Sequence, residues 1–227
     1  MRVLCIDTSG PTCSVAIMQE EALLYEATVL NKRTHSVNLM PMVDDAISKS
    51  GCEISSIDVF AAVVGPGSFT GIRIGVSAVK GLSFGANKPC IGINALEAIA
   101  YGVMPSNKII CPLRDARNKQ VYAAAFQKGK QVVEQRAIAL SDFLNKFKDF
   151  NGDCLFVGDG ANVNKQEIIG ELKEKAHFAP PHLNILRASS AAYIALKNIE
   201  NAHEPKELIP LYLRLPQAER MRLAKNK

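Results

Sequence analysis

Four glycines inside one helical stretch constrain this chain more than any other feature. After the apolar run 59–64 comes Gly65-Pro66-Gly67-Ser68-Phe69-Thr70-Gly71-Ile72-Arg73, and the pattern continues to Gly85. The apolar run suits a strand covered on both faces, Gly-Pro-Gly forces a turn, and Ser68 or Thr70 supplies a helix cap. The helix that follows carries Gly71, Gly75, Gly81 and Gly85. Each costs roughly 1 kcal/mol against alanine, so tertiary contacts must offset about 4 kcal/mol. Gly71 and Gly75 form one row at helical spacing, and Ser77, Gly81 and Gly85 form another. Rows of small residues let a second backbone come close; one row must pack on the sheet.

Three familiar motifs fail on this stretch. A Walker phosphate loop needs Gly-Lys-Ser/Thr after its spacer, but Gly71 is followed by Ile72 and Arg73. A dinucleotide fingerprint would want its third glycine at Thr70. Gly81-Leu82-Ser83-Phe84-Gly85 matches the nucleophile-elbow spelling but sits in the middle of a helix, without the sharp strand-to-helix turn that exposes such a serine.

The 227 residues suffice for one large domain or two of half that size. The net charge of +5 permits a nucleic-acid partner without arguing for one. The chain enters a strand at once, with no basic-then-apolar leader and no apolar run long enough for a membrane span, so a cytoplasmic protein is expected. Cys5, Cys13, Cys52, Cys90, Cys111 and Cys154 lack C-x-x-C spacing and read as reduced core thiols.

In order, the first half predicts three strands (2–6, 13–18, 22–30), a helix opening at Thr34-His35-Ser36, the strand and helix just described, a strand at 90–93 and a helix at 94–101. Val37, Met40, Val43 and Ile47 recur at helical spacing in the first helix, and Pro41 must lie in its first turns or kink it. The second half starts again at Lys108: strands 109–113, 120–126 and 132–139, a helix from Ser141, a strand 154–157, a Gly158-Asp159-Gly160 turn and a helix over about 162–172. Asp7 and Asp115 both stand at the end of a first strand, before a turn back into a second. A duplicated α/β architecture follows: a first lobe over 1–107 and a second over 108–227, with a helix at 189–201 that can pack back on the first lobe. The basic segment 220–227 reads as a solvated end.

Two acidic strand ends and glycine turns at 65–71 and 158–160 are the parts of a nucleotide site of the actin-like, Hsp70-like and sugar-kinase-like (ribonuclease H-like) fold, where backbone amides hold phosphate. At a finer level, several motifs resemble the TsaB (YeaZ) family: Asp7-Thr8-Ser9, His35-Ser36 with Leu39-Met40-Pro41, the Gly65–Arg73 run, Lys80-Gly81-Leu82, Asp115-Ala116-Arg117 with Val121-Tyr122, Gly158-Asp159-Gly160 and Tyr212-Leu213-Arg214. The Gly65–Arg73 run is the most specific of them. This resemblance implies a bacterial cytoplasmic subunit needed for N6-threonylcarbamoyladenosine beside the anticodon of tRNA. It implies that the catalyst is the paralogue TsaD, that the ATPase TsaE joins through the TsaB–TsaD complex, that tRNA is met only in that complex, and that the chain alone is a homodimer. Related chains have also been labelled M22 glycoproteases.

The residues agree with a non-catalytic role. In TsaD two histidines one helical turn apart grip a metal; here His35 would pair with position 39, which is Leu39. His177, His182 and His203 have no ligand spacing, so no metal is expected and His35 reads as a helix-start residue. Asp7 has two readings, a magnesium- or phosphate-orienting carboxylate or a turn cap. With Gly65, Gly67, Asp115, Gly158, Asp159 and Gly160 it outlines a vestigial nucleotide pocket. No cofactor is required of this chain; weak ATP or ADP with magnesium in the complex is the alternative. The partner interface is expected on Leu39, Met40, Val43, Ile47, Gly71, Gly75, Ser77 and Gly81, exchangeable between self-pairing and TsaD. The competing function is an enzyme of the same fold, an ATP-dependent small-molecule kinase or an M22-type metallopeptidase.

Overall fold

The computed structural model describes residues 1–31 and 33–214; the basic segment 220–227 lies outside them. A meander of β1 (Arg2–Asp7), β2 (Cys13–Gln19) and β3 (Ala22–Val29) leads into α1 (His35–Ser50), β4 (Val59–Gly65), α2 (Phe69–Ala86), β5 (Cys90–Asn94) and α3 (Ala95–Tyr101). β1 pairs antiparallel with β2 and parallel with β4, giving the order β3-β2-β1-β4-β5. The chain then repeats itself: β6 (Ile109–Asp115), β7 (Gln120–Gln127), β8 (Lys130–Ala139), α4 (Leu140–Lys148), β9 (Cys154–Val157), α5 (Asp159–Val163), α6 (Lys165–Leu172) and β10 (Ala176–Phe178). The second sheet runs β10-β9-β6-β7-β8, the same topology with the same parallel and antiparallel neighbours. This is the duplicated, two-lobed α/β architecture of the actin-like fold.

All seven residues of β4 are buried, because helices cover both sheet faces. Alternation splits its side chains. Phe60, Ala62 and Val64 join α1 and α2 on one face, while Val59, Ala61 and Val63 meet α3 on the other. That second core also takes Ile110, Ala124, Phe126 and Val157 from the second sheet, so the lobes share apolar contact through α3. The last α-helix among the described residues, α7 (Ala188–Lys197), supplies Ala188, Ala191, Ala192 and Ala195 to the same core and packs on β1 and β2. Its start is pinned there by Ala188 N donating to Ser14 Oγ (2.9 Å) and Ser189 N donating to Glu26 Oε1 (3.0 Å).

Several elements depart from the sequence reading. The buried stripe of α1 is Leu39, Met42, Val43 and Ala46, while Val37 and Met40 are exposed. Two apolar stripes of helical period coexist there, and packing on β2 selects the one a step round the helix. Pro41 sits inside α1 on its solvent side, where the carbonyl left without a donor faces water. The expected single helix over 162–172 is two, broken at Asn164, whose Nδ2 donates back to the Gly160 carbonyl (2.7 Å). Only Gly158 of the Gly-Asp-Gly triplet is a turn residue, at φ 105°, since α5 starts at Asp159. A short strand, β10, is added at the edge of the second sheet, and the helix over 189–201 ends at Lys197 with a separate turn at Ile199–Asn201.

Candidate functional site

The two lobes meet at a cleft of about 540 Å³ that receives the turn after β1, the start of α2, the end of β6, Asp159 and the segment 211–214. Ser68 opens α2, its Oγ accepting from Gly71 N (3.2 Å), and Ser68 N donates to the Ser9 carbonyl (2.7 Å). The buried glycine row fixes this geometry. A Cβ on Gly71 would lie 2.1 Å from the Thr8 carbonyl and one on Gly75 2.5 Å from Thr8 Oγ1, so only glycine lets α2 lie this close to the β1–β2 turn. Thr8 Oγ1 completes the contact by donating to the Gly71 carbonyl (2.7 Å).

Asp7 is fully buried beneath this turn rather than in the cleft. Its Oδ1 accepts from Ser9 N (2.8 Å) and Ser9 Oγ (2.5 Å). Burial pushes its pKa up; the Arg114 guanidinium, the Ser9 hydrogen bonds and His35 oppose that rise. His35 Nε2 donates to the Gly10 carbonyl (2.9 Å), which leaves its Nδ1 and Asp7 Oδ2 as buried atoms without a hydrogen-bond partner among the described residues. Both sequence readings of Asp7 thus meet one geometry, in which the carboxylate caps the turn through Ser9.

Of the seven residues outlining the pocket, Gly67, Asp115 and Asp159 line the cleft, whereas Asp7, Gly65, Gly158 and Gly160 lie under its wall. Those three buried glycines pack against backbone: a Cβ would sit 2.6 Å from the Leu211 carbonyl oxygen at Gly65, 2.3 Å from that of Leu113 at Gly158, and 2.8 Å from the Arg114 carbonyl carbon at Gly160. Asp115 is exposed and caps its own turn, its Oδ1 accepting from Arg117 N (2.8 Å).

Two features of the cleft have no place in the pocket that the sequence outlines, although Tyr212-Leu213-Arg214 is among its family-like motifs. Arg114, a charged residue directly after the apolar run Ile109–Leu113 of β6, reaches into the first lobe and is 2% exposed. A lone arginine at the end of such a run was the available signal, because a buried charge demands partners. The second is the segment 211–214, tied to the first lobe by Leu211 N donating to the Val64 carbonyl (2.8 Å) and to the second by Arg214 Nη1 donating to the Ala116 carbonyl (2.7 Å). Tyr212 stacks on Phe69 at 4.5 Å between centroids, and Arg73 lies 4.0 Å over the Phe69 ring while its Nε donates to Tyr212 Oη (3.0 Å).

The expected interface divides. Leu39, Val43, Gly71 and Gly75 are interior and come off the face; Ile47 is half-buried. Met40, Ser77 and Gly81 are exposed, joined by Val37, Phe84 and Gly85. A Cβ at Gly81 or Gly85 would meet nothing within 4 Å, so the Ser77–Gly81–Gly85 row is the outward one. All six cysteines are free and buried, and burial pushes the Cys13 thiol up to about 11. Among the described residues no group of three or more His, Cys, Asp or Glu side chains gathers to hold a metal, and no helix is long and apolar enough to cross a membrane.

Comparison with known proteins places this geometry. The family model described as "TsaD: tRNA N6-adenosine threonylcarbamoyltransferase" matches residues 29–221. The tRNA threonylcarbamoyladenosine biosynthesis protein TsaB of Bacillus subtilis is 32% identical over 225 residues, covering 96% of both chains. Among solved structures, YeaZ from Pseudomonas aeruginosa superposes with a TM-score of 0.74 at 24% identity over 93% of this chain and 99% of that one. The ROK hexokinase of Thermus thermophilus shares the two-lobed fold at a TM-score of 0.50 and 11% identity, over 87% of this chain and 100% of that one. Matched along nearly its whole length in sequence, and carrying the same duplicated lobes, the chain belongs to the TsaB (YeaZ) family.

Proposed function

We propose that this protein is the non-catalytic TsaB-type subunit for N6-threonylcarbamoyladenosine formation in tRNA, acting by docking on TsaD in the cytoplasm. TsaE and tRNA join through that pair, and the chain self-associates when TsaD is absent. The observation that carries the docking role is the outward face of α1 and α2. There Gly81 and Gly85 leave open space for another backbone, Ser77 is exposed in the same row, and Val37, Met40 and Phe84 are exposed apolar side chains of the same two helices. A face used for self-pairing can be reused by a paralogue of the same fold, since two-fold pairing presents the same patch on both copies.

The non-catalytic part rests on Leu39. It stands one helical turn from His35 and is 2% exposed, packed in the core under α1, so the helix offers His35 no second ligand at that spacing. Reconstitution tests the proposal. Purified protein alone is expected to transfer no threonylcarbamoyl group and hydrolyse no ATP, and its addition to TsaD, TsaE and the threonylcarbamoyl-adenylate synthase is expected to restore modification. ATP turnover or a one-to-one metal in the isolated chain would favour the enzyme reading.

A further inference from the structure

The fold to which this chain belongs closes two lobes around a magnesium nucleotide, with phosphate against backbone amides of glycine turns. The residues here do not fit that group. Phosphate approaches a glycine turn only where its Cα face is open, and every such face in this cleft is covered. Gly158 and Gly160 pack on the backbone of β6. Gly10 and Gly67 face the Arg114 guanidinium: a Cβ on Gly10 would lie 1.7 Å from Arg114 Nη2, and one on Gly67 3.1 Å from Nη1 and 2.1 Å from the Ser9 carbonyl. Asp7, the carboxylate placed to orient a metal, is fully buried beneath the cleft wall, with its Oδ1 engaged by Ser9.

We propose that Arg114 is a built-in occupant of the interlobe cleft, a cation from the second lobe that takes the ligand's place and holds the lobes in one relative position. Its contacts bridge both sides. Nη1 donates to Ser9 Oγ (2.6 Å) and to the Pro66 carbonyl (3.3 Å) of the first lobe, while Nε pairs with Asp159 Oδ1 (3.5 Å) of its own lobe. Ser9 relays the charge to Asp7, so a buried carboxylate and a buried guanidinium from different lobes share one hydroxyl. At 2% exposure the guanidinium offers almost nothing to an incoming anion. Its planar donor fork meets acceptors in three directions, which a lysine ammonium on a flexible stem does not reproduce. The segment 211–214 crosses the same boundary from Val64 to Ala116 and reinforces the closed position.

Amide hydrogen exchange on the full chain tests this, since opening of the lobes exposes first-lobe segments that never touch residue 114 through the backbone. In Arg114→Ala, residues 8–12 and 66–71 are expected to exchange about ten-fold faster or more. Low, non-denaturing guanidinium should restore protection by refilling the vacated site, whereas Arg114→Lys should recover it only in part. Calorimetry should show no binding of magnesium ATP to the wild-type protein. If Arg114→Ala does not fold, Ser9→Ala and Asp159→Asn, each removing one contact, are expected to give smaller rises in the same segments. Acceleration confined to the second lobe, or unchanged first-lobe exchange in every folded variant, would overturn the proposal, as would micromolar magnesium ATP binding to the wild type.

Discussion

Asp7 and Asp115 occupy the same place in the two lobes, the last residue of a first strand before the turn into an antiparallel second, yet their chemistry has separated completely. Asp7 is buried, bound by Ser9 and one hydroxyl away from Arg114. Asp115 is exposed and closes a turn of Arg117, Asn118 and Lys119, all at positive φ. Duplication therefore preserved topology, which strand order and apolar patterning enforce, and released the turn, which few contacts constrain. The neighbour preceding Asp115 shows what the second lobe gained: Arg114 spans the lobe boundary, whereas Ile6, its counterpart before Asp7, stays within the first-lobe core.

The largest effect that can break this contrast is expected at Arg114. Replacing it with alanine strands the buried Asp7 carboxylate, and removal of one partner from such a pair costs about 3 kcal/mol or more; Asp115→Ala should cost less than about 1 kcal/mol. Denaturant unfolding of both variants measures the difference. The loss in Arg114→Ala also has a pH sign. Burial already raises the Asp7 pKa, so its contribution to stability is present below the unfolded carboxyl range and is lost as pH rises through the folded value. Removing the cation that opposes the rise moves that loss further, so the variant should be more destabilised near about pH 7 than near about pH 5. Asp7→Asn in the same background should flatten the dependence; a pH-independent loss would detach Asp7 from Arg114.

A second contrast lies within α2. Gly71→Ala would force a Cβ into the Thr8 carbonyl and should destabilise by about 2 kcal/mol, within the range for overpacking. Gly81→Ala meets open space and should stabilise the isolated chain by up to about 1 kcal/mol through helix propensity. Thermal unfolding of the pair decides between an inward and an outward row, and equal effects would contradict the assignment. The smallest expected change is at the second-lobe turn, where Lys119→Gly relieves a left-handed backbone by roughly 1 kcal/mol. A loss of stability there would show that the Lys119 side chain makes a contact worth more than the strain.

What the sequence made legible follows from the range of each interaction. The buried strand at 59–64, a helix cap from Ser68 or Thr70 and the duplicated order rest on local pattern and turn chemistry; the structure has the strand and the order, and takes Ser68 as the cap. The buried face of α1 lies one step round from the stripe the spacing predicts, because both stripes are apolar and only β2 chooses between them. The glycines of 65–71 and 158–160 have the pattern of phosphate turns, but a missing Cβ serves a neighbouring backbone as well as a ligand, and sequence does not distinguish the two. Arg114 and the segment 211–214 act through partners about a hundred residues distant, so no window along the chain contains both ends of the contact.

The docking role is the claim on which the functional account turns, and the outward row of α2 offers the most direct test of it. Gly81→Leu places a branched side chain where nothing lies within 4 Å and replaces a poor helix former with a good one, so the isolated chain should keep its fold and unfold at or slightly above the wild-type temperature. The decisive measurement is N6-threonylcarbamoyladenosine formed in reconstitution with TsaD, TsaE and the synthase, alongside capture of TsaD by this chain. The account predicts that folded Gly81→Leu neither captures TsaD nor supports modification, while Arg73→Ala at the cleft end of the same helix still does both. Full capture and full modification by Gly81→Leu would place the partner on another face and contradict it.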